Sequence, residues 1–381
     1  MDTPPGVLPP APDLQPLGPI SPSRFVGLQS CALREVLAAS RTPALLPTAP
    51  AARLGSVVHR LLEYAGRGRF VGIGSAAIEA RWEELVQASE RSAARSWLDR
   101  HLLPLSTAIP DYEVRKLRAL AGASALAETA ALKPAPTEPG HHQFLGYELA
   151  VATPDGQAAG RIDAVIFGEN GPIIRDYKSG AIHEVGDTGE RGIKEAYSSQ
   201  LKLYAAIYAA MAGTWPARLE LVPVGAEPEP VEFTVGECTS LLASALRLRD
   251  RINGIVKSGT SSPAIMAQLA TPTPTACGHC PYRPLCAPYG DALASGGNSG
   301  WPSDLRGELR GVQALGNGRL MALLHTADGT FRIRGLDPDP ERHPALGQST
   351  PGDRIAAFSL RPAGSTTSFS EGPFSVLYKI P

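Results

Sequence analysis

Cysteine is scarce in this chain, five in 381 residues, and its placement is uneven: Cys31 lies far upstream, Cys238 stands alone, and Cys277, Cys280 and Cys286 cluster. An odd, uneven set excludes the evenly spaced disulfide framework of a small secreted domain. An excess of either charge is also missing, since 36 Lys+Arg against 37 Asp+Glu leave a net charge of -1. No global basic field advertises a polyanionic partner, so any contact with nucleic acid must be local. The longest nearly unbroken apolar stretch, Leu203 to Gly213, falls short of the roughly 18 residues that a membrane span needs. The first residues carry neither the basic nor the apolar segment of a signal peptide, which leads to the expectation of a cytoplasmic protein without a membrane partner. There is no internal repeat and no Gly-x4-Gly-Lys-Ser/Thr loop, which argues against a built-in nucleotide-driven motor.

What is present is a chain long enough for two domains, at roughly 150 residues each. Gly (39) and Pro (36) are plentiful but stay below the roughly 25–30% that marks low-complexity chains. Residues 1–20 are Pro-rich and read as a disordered lead-in. Ser21-Pro22-Ser23 can cap a helix carrying Phe25, Leu28, Leu33 and Leu37 at helical spacing, with Cys31 inside it. Ala52 to Tyr64 and Ala76 to Leu103 continue an Ala-rich helical region. Near residue 144 the period changes. Phe144–Val151, Gly160–Phe167 and Pro172–Lys178 read as an antiparallel meander joined by Pro154-Asp155-Gly156 and Asn170-Gly171 turns. A helix over Lys194–Met211, a strand over Arg218–Val224, a short strand over Val231–Val235 and a helix over Cys238–Lys257 complete an α/β set. After a flexible Ser/Gly-rich linker, five short strand candidates between Arg306 and Ile380 predict a small all-β barrel of OB or SH3-like type.

The meander contains two anomalies. Asp163 interrupts the apolar run Arg161-Ile162-Asp163-Ala164-Val165-Ile166-Phe167, and Asp176 and Lys178 share one face of the next strand. Carboxylates brought close together in a poorly solvated place repel unless a cation lies between them, and oxygen ligands of that kind suit Mg2+ or Mn2+. The bland alternative is a surface ion pair on an edge strand. Two helical pairs accompany the anomalies: Gly55 and His59 at i, i+4, and Gln200 and Tyr204 at the same spacing on the helix that follows. The thiolates of Cys277-x2-Cys280-x5-Cys286 can chelate a soft metal across a tight turn.

Taken in order, Gly55-x3-His59, Asp163, Asp176-Tyr177-Lys178 and Gln200-x3-Tyr204, bracketed by Cys31 and the three clustered cysteines, resemble the RecB-like branch of the PD-(D/E)xK nuclease superfamily. The similarity is to its iron-sulfur members, such as the AddB nuclease domain and the CRISPR-associated Cas exonucleases. It covers roughly residues 21–290, and it departs from many relatives in having Asp176 where they carry Glu.

The resemblance implies an α/β fold with a restriction-endonuclease-like mixed sheet flanked by helices. The expected organisation is a lead-in over 1–20, a nuclease domain over 21–290 with a helical insert at about 66–140, a linker over 291–303, and a β-barrel over 304–381. It implies metal held by His59, Asp163, Asp176 and the carbonyl of Tyr177, with Asp163, Asp176 and Lys178 catalytic and Gln200 and Tyr204 positioning the substrate strand. Glu148 is a candidate further carboxylate. Cys31, Cys277, Cys280 and Cys286 would hold a structural [4Fe-4S] cluster. A zinc site, with these thiolates or with His279 replacing one, is the competing reading, and Cys238 is a bystander.

The expected activity is that of a metal-dependent deoxyribonuclease, an exonuclease on single-stranded DNA ends in repair, recombination or phage defence, fed by a separate helicase or ATPase. The rivals are a non-catalytic iron-sulfur subunit that binds DNA and recruits a helicase, and a redox sensor. In the C-terminal domain, Arg332 and Arg334 fall on one strand face and Phe331 and Ile333 on the other, as a nucleic-acid groove requires and as any solvated strand also allows.

Overall fold

The computed structural model describes residues 4–132, 144–185, 190–295 and 300–381. Ser21 caps the first helix as its sequence predicts, accepting from the Arg24 N–H at 3.2 Å. The helix does not run through Cys31, however. Cys31 adopts extended backbone angles (φ -163°, ψ 111°) and divides α1 (Pro22–Ser30) from α2 (Ala32–Ala39). Further helices are α3 (Pro50–Gly66), α4 (Ser75–Ala94), α5 (Leu105–Ala108) and α6 (Tyr112–Leu132). The end of the predicted insert, residues 133–143, lies outside the described residues.

The meander follows as β1 (Gly146–Ala152), β2 (Ala159–Gly168) and β3 (Gly171–Lys178). A small hairpin, β4 (His183–Val185) and β5 (Arg191–Ile193), leads to α7 (Glu195–Ala212), β6 (Arg218–Pro223), β7 (Glu229–Pro230) and α8 (Val235–Val256). The α8 helix starts three residues earlier than its apolar pattern suggests because Thr234 and Glu237 form a capping box. The sheet order is β1-β2-β3-β6-β7, with β3 and β6 parallel and the other neighbours antiparallel. Helices cover both faces. One core gathers Phe25, Leu37, Ile174, Leu201 and Leu219 from α1, α2, α7 and the sheet, and the other gathers Leu61, Trp82, Ala119 and Tyr177 from α3, α4, α6 and β3.

Three short helices, α9 (Ser262–Leu269), α10 (Pro274–Gly278) and α11 (Ala287–Ser295), carry the cysteine-rich segment. The predicted linker is therefore helical up to Ser295, and residues 296–299 are outside the described set. The C-terminal region is all β apart from the single turn α12 (Pro344–Gly347). Its strands are β8 (Leu305–Ala314), β9 (Leu320–Thr326), β10 (Gly329–Leu336), β11 (Arg354–Phe358), β12 (Arg361–Ala363), β13 (Ser365–Ser370) and β14 (Val376–Ile380). They form a half-barrel sheet in the order β12-β13-β10-β9-β8-β11-β14. The β12 and β13 strands escape a hydrophobic-pattern reading because Ser365-Thr366-Thr367-Ser368-Phe369-Ser370 is nearly all polar.

Residues 4–20 correct the expectation of a disordered lead-in. Leu8, Leu17 and Ile20 are buried, Leu8 N–H donates to the Lys379 carbonyl at 2.9 Å, and Ile20 N–H donates to that of Gln157 at 2.9 Å. A few well-spaced apolar residues fill seams while the extended backbone finds partners on existing strands. Leu8, Leu45, Leu46 and Leu98 also share a core with Ala356, Phe358, Val376 and Tyr378, so the C-terminal sheet is packed onto the first domain through its β11 and β14 side.

Candidate active site

The β2–β3 ladder pairs Ala164 with Arg175 and stops there. Beyond it, Asp163 captures a main-chain donor: its Oδ2 accepts the Tyr177 N–H at 2.8 Å. The same oxygen lies 3.5 Å from His59 Nδ1, which α3 brings over the strand ends. Gly55, one turn before His59, lies so close to β3 that an added Cβ would stand 3.1 Å from Ser179 Oγ. Asp176 is buried, with Lys178 Nζ 2.5 Å from its Oδ2. That contact lacks hydrogen-bonding geometry, and Oδ2 has no hydrogen-bond partner. Gln200 on α7 bridges the pair, donating to Asp176 Oδ1 at 3.4 Å and accepting from Lys178 Nζ at 3.3 Å.

Burial and the neighbouring Asp176 push the Asp163 carboxyl up to about 7. Asp176 is raised as well, by burial, against the opposing pull of Lys178. His59 is lowered by burial, and its imidazole is therefore neutral at physiological pH, the form that can ligate a metal. Two carboxyls held against their preference to ionise in one place, beside a neutral imidazole and with one oxygen lacking a hydrogen-bond partner, fit a divalent cation in the chemistry of their donors. In this conformation the Lys178 ammonium is the counter-charge of Asp176. Among the described residues, no group of three or more His, Cys, Asp or Glu is already arranged to hold a metal ion.

Tyr177 turns its ring to the opposite face of the sheet, into the α3/α6 core. Tyr204 lies on the helix face that carries Gln200, but its hydroxyl donates to the Arg161 carbonyl at 2.7 Å. The Tyr204 ring fits because Gly160 is bare: a Cβ there would meet Tyr204 Cε1 at 3.0 Å. Glu148, across from Asp163 on β1, has φ +51° and lies 3.7 Å from Arg161 Nε. Its carboxyl is raised by burial and by Glu63.

Three features escaped the sequence reading. Tyr197 presents its ring 4.4 Å from Lys178 Nζ, and its spacing from Gln200 and Tyr204, i, i+3 and i+7, is the signal that was available. A polar cleft of about 640 Å3 opens beside His59, lined among others by Arg60, Glu63, Glu148, Arg161 and Ser179. Arg60 and Glu63 share α3 with His59, so only the fold shows that they border it.

Away from this centre, Cys31, Cys277, Cys280 and Cys286 line a single small pocket with Leu33, Arg34 and Tyr282. Burial, with a smaller contribution from the other thiols of the set, pushes the Cys280 thiol up to about 11 and Cys286 up to about 12. Neither His279 nor Cys238 lines this pocket. The Cys238 thiol is buried on α8 and pushed up to about 11. The break at Cys31 turns it out of helical register toward the other three.

The family model of the PD-(D/E)XK nuclease superfamily matches residues 19–287, more than half of the chain. No curated protein and no solved structure matches it. No described helix is long and apolar enough to cross a membrane.

Proposed function

The chain belongs to the PD-(D/E)XK nuclease superfamily, and from that premise we propose that it is a metal-dependent deoxyribonuclease acting as an exonuclease on single-stranded DNA ends. The observation that carries this reading is the convergence of His59, Asp163, Asp176, Lys178 and Gln200 at the ends of β2 and β3, with a buried carboxylate oxygen that has no hydrogen-bond partner. His59, Asp163, Asp176 and the Tyr177 carbonyl would hold Mg2+ or Mn2+. Such an ion supplies Lewis acidity at the phosphodiester and lowers the pKa of bound water.

The chain's own residues then divide the remaining work. Lys178, beside Asp176 at the strand end, would donate toward the attacked phosphate and stabilise the charge that develops there. Gln200 keeps Lys178 and Asp176 in register through its two hydrogen bonds. Tyr204, through the Arg161 carbonyl, fixes the strand that carries Asp163. Arg60 and Arg161 line the adjacent cleft beside Glu63 and Glu148, and their guanidiniums are the groups there that would meet a phosphate backbone.

The four cysteines that line one pocket support a structural [4Fe-4S] cluster joining the N-terminal helices to the segment after α9. A helicase or ATPase partner is part of the same proposal, since the sequence has no nucleotide-binding loop of its own.

The test is cleavage of end-labelled single- and double-stranded DNA by anaerobically purified protein, with Mg2+ or Mn2+, with EDTA, and with Lys178→Ala. Metal-dependent cleavage that Lys178→Ala abolishes while DNA binding persists is the expected result, and the product ladder gives the polarity. A protein that carries its cluster and binds DNA but cuts nothing overturns the catalytic assignment in favour of an accessory subunit.

A further inference from the structure

The outer face of the C-terminal sheet carries a basic patch that the candidate active site does not use. In register, Arg361 on β12 pairs with Ser370 on β13, and Ser370 pairs with Arg334 on β10. On the next rung Ser368 pairs with Arg332. Residues on one rung share a face, and residues two apart along a strand share it too. Arg332, Arg334 and Arg361 therefore stand on the side opposite Ile333, which is fully buried.

All three arginines are exposed, and among the described residues none makes an ion pair. Other arginines of the C-terminal region behave differently: Arg310 on β8, Arg319 just before β9 and Arg342 after β10 are paired with Glu308, Asp337 and Glu371. The carboxylates near them in sequence are engaged elsewhere: Asp337 meets Arg319, Asp353 meets Lys379, and Glu371 meets Arg342 and His343. The patch thus has three uncompensated charges, two serine hydroxyls between them, and the half-buried apolar surface of Met321 and Leu323 alongside on β9.

Its position also matters. The sheet packs its apolar side onto the first domain through β11 and β14, while Arg100 and His101 reach only Glu341 and the Pro373 carbonyl beyond the ends of β10 and β13. The patch is left free while the sheet that bears it is anchored.

We propose that the β10–β13–β12 face binds the phosphodiester backbone of single-stranded DNA outside the cleavage centre, an inference that rests on the nuclease reading for the identity of the polyanion. Three separated guanidiniums with hydroxyls between them match a row of phosphates, and apolar surface beside them accommodates bases without selecting among them. The face would hold the strand by charge and leave sequence unread.

The experiment measures anisotropy of a labelled single-stranded DNA of about 30 nucleotides in EDTA across a salt series, with a strand of about six nucleotides as the short comparison. The triple variant Arg332→Gln/Arg334→Gln/Arg361→Gln should bind the long strand about tenfold or more weakly at low salt. Its log–log salt slope should fall by about 2, as three single-strand phosphate contacts at roughly 0.7 each require. The corresponding Lys variants should restore both values, and metal-dependent cleavage of the short strand should be unchanged in the Gln variant. An unchanged affinity and slope for the long strand overturn the proposal, as does an equal loss for the short strand. Failure of the wild-type protein to cleave either strand overturns the nuclease reading instead, and the binding series in EDTA still decides the role of this face.

Discussion

Two buried aspartates, one in each half of the molecule, are equally hidden and otherwise opposite. Asp176 in the candidate active site is 4% exposed, and one of its oxygens has no hydrogen-bond partner. Asp304, at the start of the C-terminal region, is 7% exposed and saturated. Arg283 Nε donates to its Oδ2 at 2.6 Å, Tyr289 OH to the same oxygen at 2.7 Å, and the Ser359 N–H to Oδ1 at 2.7 Å. Arg283 Nη2 also donates to Oδ1 at 3.3 Å and to the Ser359 hydroxyl, and Nη1 donates to the carbonyls of Cys277 and Gly278. A buried charge of the second kind joins pieces of the fold, here the cysteine segment and the C-terminal sheet. A buried charge of the first kind, offset by Lys178 but without a full set of hydrogen bonds, adds little to the fold. The comparison separates a residue kept for architecture from one kept for chemistry without reference to either name or motif.

Asp304→Ala gives the largest expected effect, because it strands Arg283 without its partner in a site that is 3% exposed. The loss should be about 3–5 kcal/mol in urea denaturation, with the C-terminal sheet loosening first in hydrogen exchange. A loss under 1 kcal/mol breaks the comparison, since Asp304 would then be as dispensable to folding as a surface carboxylate.

Asp176→Asn should do the reverse. Burial already disfavours this carboxylate against the pull of Lys178, so losing its charge should cost far less stability than Asp304→Ala, while metal-dependent cleavage falls by about 100-fold or more. The two variants measured side by side, one for melting and one for turnover, should exchange their ranks. If Asp176→Asn unfolds the protein as Asp304→Ala does, the Lys178 contact is an architectural ion pair after all.

Much of this division was legible in the chain itself. The meander could be read because β-period alternation and two Gly-containing turns mark it, and Asp163 and Asp176 stood out because they interrupt apolar strands. Gln200 was found by helical spacing from Tyr204. Asp304 was invisible, because its partners lie 15, 21 and 55 residues away and nothing local distinguishes it from a loop aspartate. The break at Cys31 was hidden for a related reason: the apolar spacing on either side of it is helical, and its four-cysteine pocket exists only after folding. Tyr197 could have been read from the same helix face as Gln200. The lead-in failed because average composition conceals three well-placed apolar residues.

The pH dependence of Asp163 sharpens the contrast further. Its folded-state pKa, raised to about 7, lies above the roughly 3.9 of an unfolded aspartate. Between these values the native state holds a proton that the unfolded state has lost, so stability must fall as pH rises from about 4 through 7. Asp163→Asn removes that penalty. The variant should be more stable than the wild type by up to about 4 kcal/mol at pH 8, with the difference vanishing near pH 4. Mg2+ or Mn2+ should raise the wild-type melting temperature at pH 8 and leave Asp163→Asn unmoved. A constant difference across the range assigns the effect to packing.

The smallest effect tests how far the saturation of Asp304 extends. Tyr289 is buried, and its hydroxyl donates to Asp304 Oδ2, which Arg283 Nε also reaches. Tyr289→Phe removes one donor and no volume, leaving an oxygen that retains its charged partner. The expected cost is about 1.5 kcal/mol, the usual range for a hydrogen bond to a charged group, well below that of removing the carboxylate. In the double-mutant cycle with Ser359→Ala the two losses should exceed additivity, because Ser359 Oγ holds the Arg283 guanidinium that shares Asp304 with Tyr289. Strict additivity would mean that Asp304 is held by independent contacts, and the joint between the cysteine segment and the C-terminal sheet would then loosen one bond at a time instead of giving way as a unit.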